Sequence, residues 1–465
     1  MKRLAEKDLI DWKDRVGRMP LIVRGARQVG KTHLVEAFGK SCFPSVLTVN
    51  LEQKEDLHAL FNRMEAKRIT QELSLYFNQP VVPGQTLLFL DEIQACPKAI
   101  ACLRYFHEEM PDLHVVAAGS LLDFSLREFT HSVPVGRIEY LHLHPLTFQE
   151  FLLAAGEDAL ANHLERYQIG DDLGDAVRVK LRDLLRIYFF VGGMPSPVAA
   201  YTERHDLLEV QRILASISTT LQDDFAKYGT RVQQRNMRQV LRYIPRNIGR
   251  KVRYVNISRD ARADELRTAL ELLELSRIVT LVRHSSANGI PLGAEASESH
   301  FKPLLLDIGL CNNLCGLSLP DAAELLTVQE GGLAEQFVGQ ELRSLGPAFE
   351  DHPLFYWHRE AKNANAEVDY LWAHEANVIP VEVRAGTSGS LKSLQVFLAE
   401  KERNFAVRLN MDRPSLGSFS AAVGGKGGVR NVSYTLLSVP LYLAGQLDRL
   451  LHEYLCRREG AHEAK

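Results

Sequence analysis

The most constraining feature of this sequence is a glycine-rich loop between an apolar run and a helical pattern. Gly25 to Thr32 follows the pattern G-x-x-x-x-G-K-[ST], directly after the apolar run 21–23 and before a helical pattern from 33 to 38. Such a loop presents backbone N–H groups and the positive end of a helix to a phosphate. We expect Lys31 to contact the β- and γ-phosphates of a nucleotide and the Thr32 hydroxyl to bind Mg²⁺. The predicted phosphate-binding residues are Gly25, Ala26, Arg27, Gln28, Val29, Gly30, Lys31, Thr32 and His33.

Short apolar runs surround this loop, and helical patterns separate them. The runs lie at 20–24, 45–50, 86–90, 114–118 and 137–143. Strands that alternate with helices predict a parallel α/β sheet. Uninterrupted apolar runs such as 87–90 are typical of strands that are covered on both faces.

Two carboxylates follow one of these apolar runs. Asp91 and Glu92 come directly after 87–90, at the carboxyl end of a predicted strand. Because α/β sheets bind ligands at this edge, both side chains are candidates for nucleotide chemistry. We expect Asp91 to bind Mg²⁺, directly or through water, and Glu92 to act as the general base for the attacking water.

Two further candidates lie after the next predicted strand. Ser120 ends that strand and could sense the γ-phosphate, although a helix N-cap is an equally good interpretation. Arg137 opens the following strand and could supply positive charge to a transition state, while a surface ion pair is the alternative. The predicted catalytic set is Glu92, Lys31, Ser120 and Arg137.

Several segments together resemble a known family. They are RGARQVGKT at 24–32, LDEIQ at 90–94, AGSLL at 118–122, HPLTF at 144–148, GGMP at 192–195 and DIGL at 307–310. The chain resembles a large prokaryotic family of AAA-type, STAND-like P-loop ATPases that carry a C-terminal domain of unknown function. The resemblance extends over nearly the whole chain and implies ATP binding and hydrolysis in a parallel five-stranded core. ATP and Mg²⁺ are the expected cofactors, and ATP and ADP the expected small-molecule partners.

The segment from 225 to 259 is strongly basic, with ten Lys or Arg residues and no Asp or Glu. Four of its arginines recur at the spacing of one helix face, and a phosphate backbone would relieve their mutual repulsion. The helices and the apolar run that follow are compatible with a winged helix. Double-stranded DNA is one expected partner, while an acidic protein partner or a solvated helix face are the alternatives. The predicted nucleic-acid-binding residues are Arg231, Arg235, Arg238, Arg242, Arg246, Arg250 and Lys251.

Carboxylates recur on predicted strands near the C-terminus. Asp369 and Glu382 lie about a dozen residues apart, and Glu335 on the preceding helix could complete a second site for a divalent metal. This pattern resembles the restriction-endonuclease-like fold. The chain departs from it at Arg384, where the resemblance implies lysine, and Lys392 is a candidate substitute. A domain that binds or docks without cleaving is the alternative to a nuclease.

Composition limits the remaining classes. A formal charge of −3, with 24% charged and 46% hydrophobic residues, fits soluble globular domains and excludes a globally basic nucleic-acid binder. The six cysteines are too scattered for a disulfide scaffold. The charged N-terminal residues lead into no apolar stretch, so we expect no signal peptide, no membrane partner and a reducing cytoplasm.

The predicted fold class is α/β, with a parallel-sheet P-loop NTPase core and a helical lid. A winged-helix-like middle module and a C-terminal α/β restriction-endonuclease-like domain complete it. The predicted function is an Mg²⁺-dependent ATPase whose nucleotide state controls a DNA-binding module and a nuclease-like domain. The alternative is a nucleotide-gated signalling or scaffold switch with protein partners and no nuclease activity. The predicted domains are a P-loop core at 1–150, a helical lid or connector at 151–224, a basic winged-helix-like module at 225–324 and a restriction-endonuclease-like domain at 325–465.

Overall fold

The computed structural model of the chain divides into two compact units. The residues that it describes are 1–120, 122, 124, 136–227, 229–316, 330–359, 366–385, 391–425 and 428–463. The first unit comprises Met1–Pro145, Leu272–Ile278 and Gly346–Asp351, and the second comprises Leu146–Glu271, Val279–Leu345 and His352–Lys465. Within the described ranges, no helix has both the length and the apolar character that crossing a bilayer requires. The division into four domains stays a prediction.

The first unit alternates strands and helices. Its strands are β1 (Leu21–Arg24), β2 (Ser45–Asn50), β3 (Thr86–Asp91), β4 (His114–Gly119) and β5 (Glu139–His142). Its helices are α1 (Glu6–Asp14), α2 (Lys31–Cys42), α3 (Ala66–Tyr76) and α4 (Pro97–Glu109), with 3₁₀ turns at Glu55–Arg63 and Ile93–Ala95. All five strands coincide with the predicted runs, and β3 and β4 each extend one residue beyond them.

The five strands form one parallel sheet in the order β2-β3-β4-β1-β5. Every residue of β3 and β4 is buried, which explains why the apolar run 87–90 has no polar alternation. The sheet packs against an apolar cluster that includes Leu88, Leu90, Ile100 and Phe106. The predicted parallel α/β core is therefore confirmed.

The second unit begins with a helical region, as the sequence predicts for 151–224. Its helices up to the basic segment are α5 (Phe148–Ala154), α6 (Asp158–Arg166), α7 (Asp175–Val191), α8 (Pro195–Arg204) and α9 (Leu207–Asp223). Next come α10 (Arg231–Tyr243), α11 (Tyr254–Ile257), α12 (Ala263–Leu275, whose last residues belong to the first unit) and α13 (Ile308–Cys315). The last are α14 (Glu330–Arg343), α15 (Lys392–Glu400) and α16 (Leu447–Glu463), and 3₁₀ turns lie at Asp224–Lys227, Ile244–Asn247, Leu292–Glu295 and Leu441–Gln446.

The second unit also holds an eight-stranded mixed sheet, in the order β12-β13-β11-β10-β9-β8-β6-β7. Its strands are β6 (Val279–Ser285), β7 (Ala296–Leu305), β8 (Phe355–His358), β9 (Glu367–His374), β10 (Asn377–Val383), β11 (Phe405–Asn410), β12 (Ser415–Gly425) and β13 (Gly428–Pro440). β6 pairs with β7 on one side and with β8 on the other. One sheet therefore extends across the predicted boundary at 324, and the winged helix is not confirmed.

Two of the segments behind the family resemblance meet inside the second unit. Gly193 N donates to Asp307 Oδ2 at 2.6 Å, and Leu310 N donates to Asp307 Oδ1 at 3.0 Å. A Cβ at Gly192, where φ is +73°, would lie 2.2 Å from Asp307 Oδ1. Burial raises the pKa of Asp307 to about 6, while these N–H donors oppose the rise. The GGMP and DIGL segments therefore form one close-packed contact.

Candidate functional site

The glycine-rich loop connects β1 to α2 at the carboxyl edge of the parallel sheet. Gly30 has φ of +92° at the position before α2, a conformation that favours glycine. A Cβ at Gly25 would lie only 2.4 Å from the Leu143 carbonyl oxygen, so this position has no room for a larger residue. The backbone conformation at Gly30 and the lack of space at Gly25 therefore explain why both positions are glycine. His33 is exposed on the first turn of α2.

Arg3, in the N-terminal segment, donates a hydrogen bond to the glycine-rich loop. Arg3 Nη1 donates to the Val29 carbonyl at 2.9 Å, and its Nη2 donates to the His144 carbonyl at 2.6 Å. Arg3 thus ties the loop to the segment that follows β5. No sequence pattern marks this residue, because its partners Val29 and His144 come from distant parts of the chain.

Lys31 is the buried cation of the site. It is 6% exposed, and its Nζ donates to the carbonyl oxygens of Gly25 and Ala26 at 3.0 and 2.8 Å. Burial lowers the pKa of Lys31 to about 8, although Glu92 and Asp91 act in the opposite direction. Its ammonium therefore donates to neutral carbonyl oxygens and forms no ion pair with a carboxylate of the described residues, a setting that favours an incoming polyanion.

Thr32 and Asp91 form the predicted magnesium pair. Thr32 Oγ1 donates to Asp91 Oδ2 at 2.9 Å, which joins the first turn of α2 to the carboxyl end of β3. Burial raises the pKa of Asp91, and the hydrogen bond from Thr32 opposes this rise. A hydroxyl and a carboxylate are the hard oxygen ligands that Mg²⁺ prefers, so the donor chemistry fits the ion.

Glu92 lies beside this pair in a polar network. Gln94 Nε2 and Ser120 Oγ both donate to Glu92 Oε2, at 2.5 and 3.4 Å. Arg27 Nε in turn donates to Ser120 Oγ at 3.3 Å. Ser120 therefore connects the glycine-rich loop to the predicted general base instead of serving only as a helix cap. Gln94 was not among the predicted residues, although it lies in the LDEIQ segment.

Arg137 is not brought to this site. It precedes β5, whose first residue Glu139 pairs with Leu21 at the start of β1, whereas the loop follows the last residue of β1. A four-residue strand is roughly 13 Å long, so Arg137 lies at the opposite edge of the sheet from the loop. Its Nε pairs with Glu108 Oε1 at 3.2 Å. The surface ion pair, the alternative interpretation, is what the structure shows.

Arg277 is a cation that sequence reasoning missed. It belongs to the segment Leu272–Ile278 of the first unit, and its charge contributes to lowering the pKa of Lys31 after burial. Its Nη1 lies 3.2 Å from Asp351 Oδ2 and 3.4 Å from Nδ1 of His142, the last residue of β5. The carboxyl edge of the sheet therefore carries an arginine from far along the chain.

The predicted C-terminal carboxylates meet around a lysine. Lys302 on β7 is 2% exposed, and its Nζ lies 2.5 Å from Glu367 Oε1, 3.4 Å from Glu335 Oε2 and 3.7 Å from Asp369 Oδ1. Burial opposes the charge of Lys302, but the three carboxylates outweigh it and raise its pKa. A protein cation thus lies beside Glu335 and Asp369, two of the three residues predicted to bind a metal, while Glu367 was not among them.

Glu382, the third predicted metal ligand, contacts Arg384 and not Lys302 in the described part of the chain. Burial, reinforced by Asp369, raises the pKa of Glu382 to about 9, while the charge of Arg384 opposes the rise. Its Oε1 accepts a hydrogen bond from Arg384, the residue at the position where the resemblance implies lysine. Lys302, which was not predicted, supplies a buried lysine from another strand, while Lys392 is exposed at the start of α15.

The predicted basic face is largely exposed. The opposite side of α10 is buried through Met237, Val240 and Leu241. Six of the predicted arginines make no side-chain hydrogen bond or ion pair in the part of the chain that the structure describes, while Lys251 pairs with Glu367 at 3.4 Å. These six are Arg231, Arg235, Arg238, Arg242, Arg246 and Arg250.

Three family models match separate parts of the chain. Residues 17–152 match a model described as an AAA domain, and residues 182–321 and 330–421 match domains of unknown function, DUF8612 and DUF4143. The AAA match contains the whole parallel sheet and the loop. This match supports a nucleotide-binding, AAA-type P-loop ATPase. The search of curated proteins gives no match.

Solved structures of three other proteins show some similarity to this chain, and two of them are described with a bound nucleotide. Aeropyrum pernix ORC2, in ADPNP-ADP complexes, is 14% identical over 71% of this chain and 95% of its own, with a TM-score of 0.36. AMPPCP-bound DnaA from Aquifex aeolicus is 16% identical over 58% and 87%, with a TM-score of 0.24. The Thermotoga maritima RuvB Holliday junction branch migration motor is 18% identical over 60% and 84%, with a TM-score of 0.25. Such scores do not establish a shared fold, so the assignment rests on strand order, loop geometry and the AAA match.

Proposed function

We propose that this protein is an Mg²⁺-dependent ATPase whose site is the carboxyl edge of the parallel sheet. The observation that carries this proposal is the contact between Thr32 and Asp91 at 2.9 Å, next to the buried Lys31. This contact brings a hydroxyl and a carboxylate together at the start of the helix that follows the phosphate-binding loop. The AAA match over 17–152 supports the same assignment.

The residues of this site have three roles in the proposed reaction: phosphate binding, Mg²⁺ binding and general-base catalysis. Lys31 exchanges its bonds to the Gly25 and Ala26 carbonyls for phosphate oxygens, and the loop amides bind the remaining charge. Mg²⁺, held by Thr32 and Asp91, would neutralise charge that develops on the phosphates. Glu92 takes a proton from water as the water oxygen attacks the γ-phosphorus and the bond to the bridging oxygen breaks.

The network around Glu92 gives it a defined position. One oxygen of its carboxylate accepts from Gln94 and Ser120, which leaves the other oxygen for the attacking water. Ser120 also accepts from Arg27 of the loop, which links base and phosphate site. We therefore assign Ser120 and Gln94 as positioning residues.

Glu92→Gln separates binding from hydrolysis. We expect ATP binding within about threefold of wild type and phosphate release reduced by roughly 10²–10⁴-fold, because glutamine cannot accept the proton. ATP affinity and phosphate release with Mg²⁺ are the measurements. Glu55→Gln, at an exposed position of the same unit, is the matched control. Unchanged phosphate release in Glu92→Gln would contradict the assignment.

A second function is favoured by the arginine face of α10. Arg231, Arg235 and Arg242 are exposed, and the described residues provide them with no carboxylate partner. Arginine binds phosphate oxygens through two parallel N–H donors, so a DNA backbone would satisfy these side chains. We propose that this face binds double-stranded DNA. A nucleotide-gated switch that binds an acidic protein is the alternative use of the same face.

Salt dependence tests the DNA proposal. We expect the logarithm of the affinity for a duplex to fall linearly with the logarithm of salt concentration. Arg235→Ala combined with Arg238→Ala should reduce this slope by about two, since each arginine removes one phosphate contact. The control removes Arg186 and Arg212, which pair with Asp183 and Glu209. No duplex binding at low salt would exclude the proposal, and binding of an acidic protein instead would favour the alternative.

For the carboxylate cluster we propose a binding or docking role rather than nuclease activity. Lys302 already lies among Glu335, Glu367 and Asp369, and the remaining acid Glu382 is paired with Arg384. We expect plasmid DNA to stay intact with Mg²⁺ or Mn²⁺, with and without ATP. Cleavage that is lost in Glu382→Ala would instead establish a nuclease.

A further inference from the structure

A group of metal-ligand side chains lies away from the features described so far, where β9 ends and α16 passes. His374 is the last residue of β9, Glu375 follows it, and His452 lies on α16. One ligand atom from each of these residues lies within 4.8 Å of the others. Glu375 Oε1 is 3.3 Å from His452 Nδ1 and 3.9 Å from His374 Nε2.

The state of His374 points to a ligand. This side chain is 7% exposed, and its Nε2 is buried without a hydrogen-bond partner. A buried ring nitrogen normally has a partner, so an atom directed towards a carboxylate and a second histidine without one needs an explanation. A metal ion between the three side chains would use the lone pair of this nitrogen.

The other nitrogen of His374 is held in the way that metal-bound histidines are held. Nδ1 lies 2.8 Å from Asp448 Oδ1, which also accepts from Trp372 Nε1 at 3.0 Å. Because the carboxylate only accepts, the neutral form of the ring has its proton on Nδ1 and its lone pair on Nε2. A carboxylate behind a histidine fixes the ring and increases its basicity as a metal ligand.

We propose that His374 Nε2, Glu375 Oε1 and His452 Nδ1 bind a divalent transition-metal ion, with Zn²⁺ as the ion that best fits two imidazoles and one carboxylate. Ligands about 2.0–2.1 Å from a tetrahedral zinc lie roughly 3.3 Å from each other. The two separations from Glu375 Oε1 are 3.3 and 3.9 Å, and all three ligand atoms lie within 4.8 Å of one another, so the ligands must close by at most about 1.5 Å to reach that value. Cys456 Sγ lies 3.6 Å from the other nitrogen of His452, so it is not assigned as a ligand.

The ion would connect two elements that are distant in the sequence. His374 and Glu375 belong to the turn after β9, and His452 belongs to the C-terminal helix α16. Bound Zn²⁺ would therefore cross-link this helix to the mixed sheet and stabilise the second unit. The exposed ligands Glu375 and His452 make the ion accessible to solvent and to chelators.

Calorimetric titration of the chelator-treated, nucleotide-free full chain with Zn²⁺ tests this site. We expect wild type to bind one equivalent of Zn²⁺ more tightly than any further equivalents. Its melting temperature should rise when this equivalent is bound. His374→Gln and His452→Gln should both lose this equivalent, and Asp448→Asn should weaken it by about 10–100-fold as a positioning residue. His163→Gln, at an exposed histidine of α6, should match wild type. His452→Gln changes an exposed side chain, so it remains informative if His374→Gln fails to fold.

Two results would overturn the proposal. One is the same number of zinc equivalents, with the same affinity, in wild type, His374→Gln and His452→Gln. The other is displacement of the bound ion by Mg²⁺ or Ca²⁺ at equal concentration, since an oxygen-seeking cation would not compete for two imidazoles. A tetrahedral Co²⁺ spectrum in wild type that is absent from His452→Gln would support it.

Discussion

Each unit of the molecule buries one lysine of the candidate sites, and the two lysines have opposite surroundings. Lys31 in the first unit donates to two backbone carbonyls, and burial lowers its pKa to about 8. Lys302 in the second unit lies among three carboxylates, which outweigh burial and raise its pKa. The same residue type is therefore prepared for an anion in one unit and already neutralised in the other.

This difference separates a binding site from an internal ion cluster. A buried cation without a carboxylate in direct contact gains most from a polyanion, whereas one that is surrounded by carboxylates gains little. Sequence patterns alone would rank both regions as metal-dependent sites. The electrostatic settings favour nucleotide chemistry at Lys31 and structural stabilisation at Lys302.

Replacing Lys31 with methionine should have the largest effect on activity. We expect phosphate release to fall by at least about 10²–10³-fold, since a charge that contacts the reacting phosphates is removed. The unfolding free energy should change little. Lys40→Met, at an exposed residue of the same helix, is the control in an assay of phosphate release with Mg²⁺ and ATP. Turnover within twofold of wild type would contradict the role of Lys31.

Replacing Lys302 with methionine should have the largest effect on stability. The change leaves Glu335, Glu367 and Asp369 together without their cation, and breaking a buried ion pair costs about 3–5 kcal/mol. We expect the melting temperature to drop by roughly 5–15 °C. Lys392→Met, at an exposed lysine of the same unit, is the comparison. An unchanged melting temperature would show that the cluster does not depend on Lys302.

The pH dependence of ATP binding should reflect Lys31. Because its pKa is about 8 in the folded protein, the ammonium is lost above that pH and ATP affinity should fall by up to about tenfold per pH unit. Binding above pH 8 should take up a proton, which calorimetry in buffers of different ionisation enthalpy detects. An affinity that stays constant from pH 7 to pH 9.5 would contradict the lowered pKa.

The two units should also differ in how pH affects stability. The lowered pKa of Lys31 means that the unfolded chain binds more protons between about pH 8 and 10.5, so this group contributes stability that rises with pH there. The raised pKa values of Glu335 and Glu382, about 7 and 9, mean that the folded chain retains protons, so their contribution falls as pH rises from about 4.5 through 9. The free energy of unfolding of Glu382→Gln, measured across pH, should decrease less between about pH 4.5 and 9 than that of wild type. The same pH profile in both proteins would contradict the raised pKa of Glu382.

A smaller effect concerns metal binding at the cluster around Lys302. We expect Lys302→Met to bind about one Mn²⁺ that wild type does not bind, because the released carboxylates are hard oxygen ligands. Titration followed by the paramagnetic signal of free Mn²⁺, on His374→Gln backgrounds to exclude the site near α16, is the measurement. Equal Mn²⁺ binding with and without Lys302 would show that the lysine does not occupy a metal position.

The first unit could be predicted closely because its signals are local. Each strand is a short apolar run, and the loop and the pair Asp91 and Glu92 lie next to those runs in the chain. The sequence could not decide between a phosphate-sensing role and a helix N-cap for Ser120, because its contacts with Glu92 and Arg27 depend on the order of the strands in the sheet. For Arg137 the sequence left a transition-state role and a surface ion pair open, and its position before β5, at the edge opposite the loop, favours the ion pair.

The second unit was predicted less completely because its key contacts come from elements without a clear pattern. β7 carries Lys302 next to Pro303, and proline does not indicate a strand, although it is tolerated here because β7 is an edge strand. β12 is rich in Gly, Ser and Ala and lacks the apolar alternation of a strand. Arg277 and Lys302 could not be assigned from spacing, since their neighbours come from distant parts of the sequence.

The most direct test of the contrast between the two lysines is the melting temperature of Lys31→Met and Lys302→Met, each measured with and without Mg²⁺ and ATP. We predict that Lys31→Met melts close to wild type and gains nothing from ATP, because its fold is intact and its phosphate site is not. Lys302→Met should melt well below wild type and still gain stability from ATP as wild type does. A full ATP-dependent rise in Lys31→Met, or a wild-type melting temperature in Lys302→Met, would contradict the account.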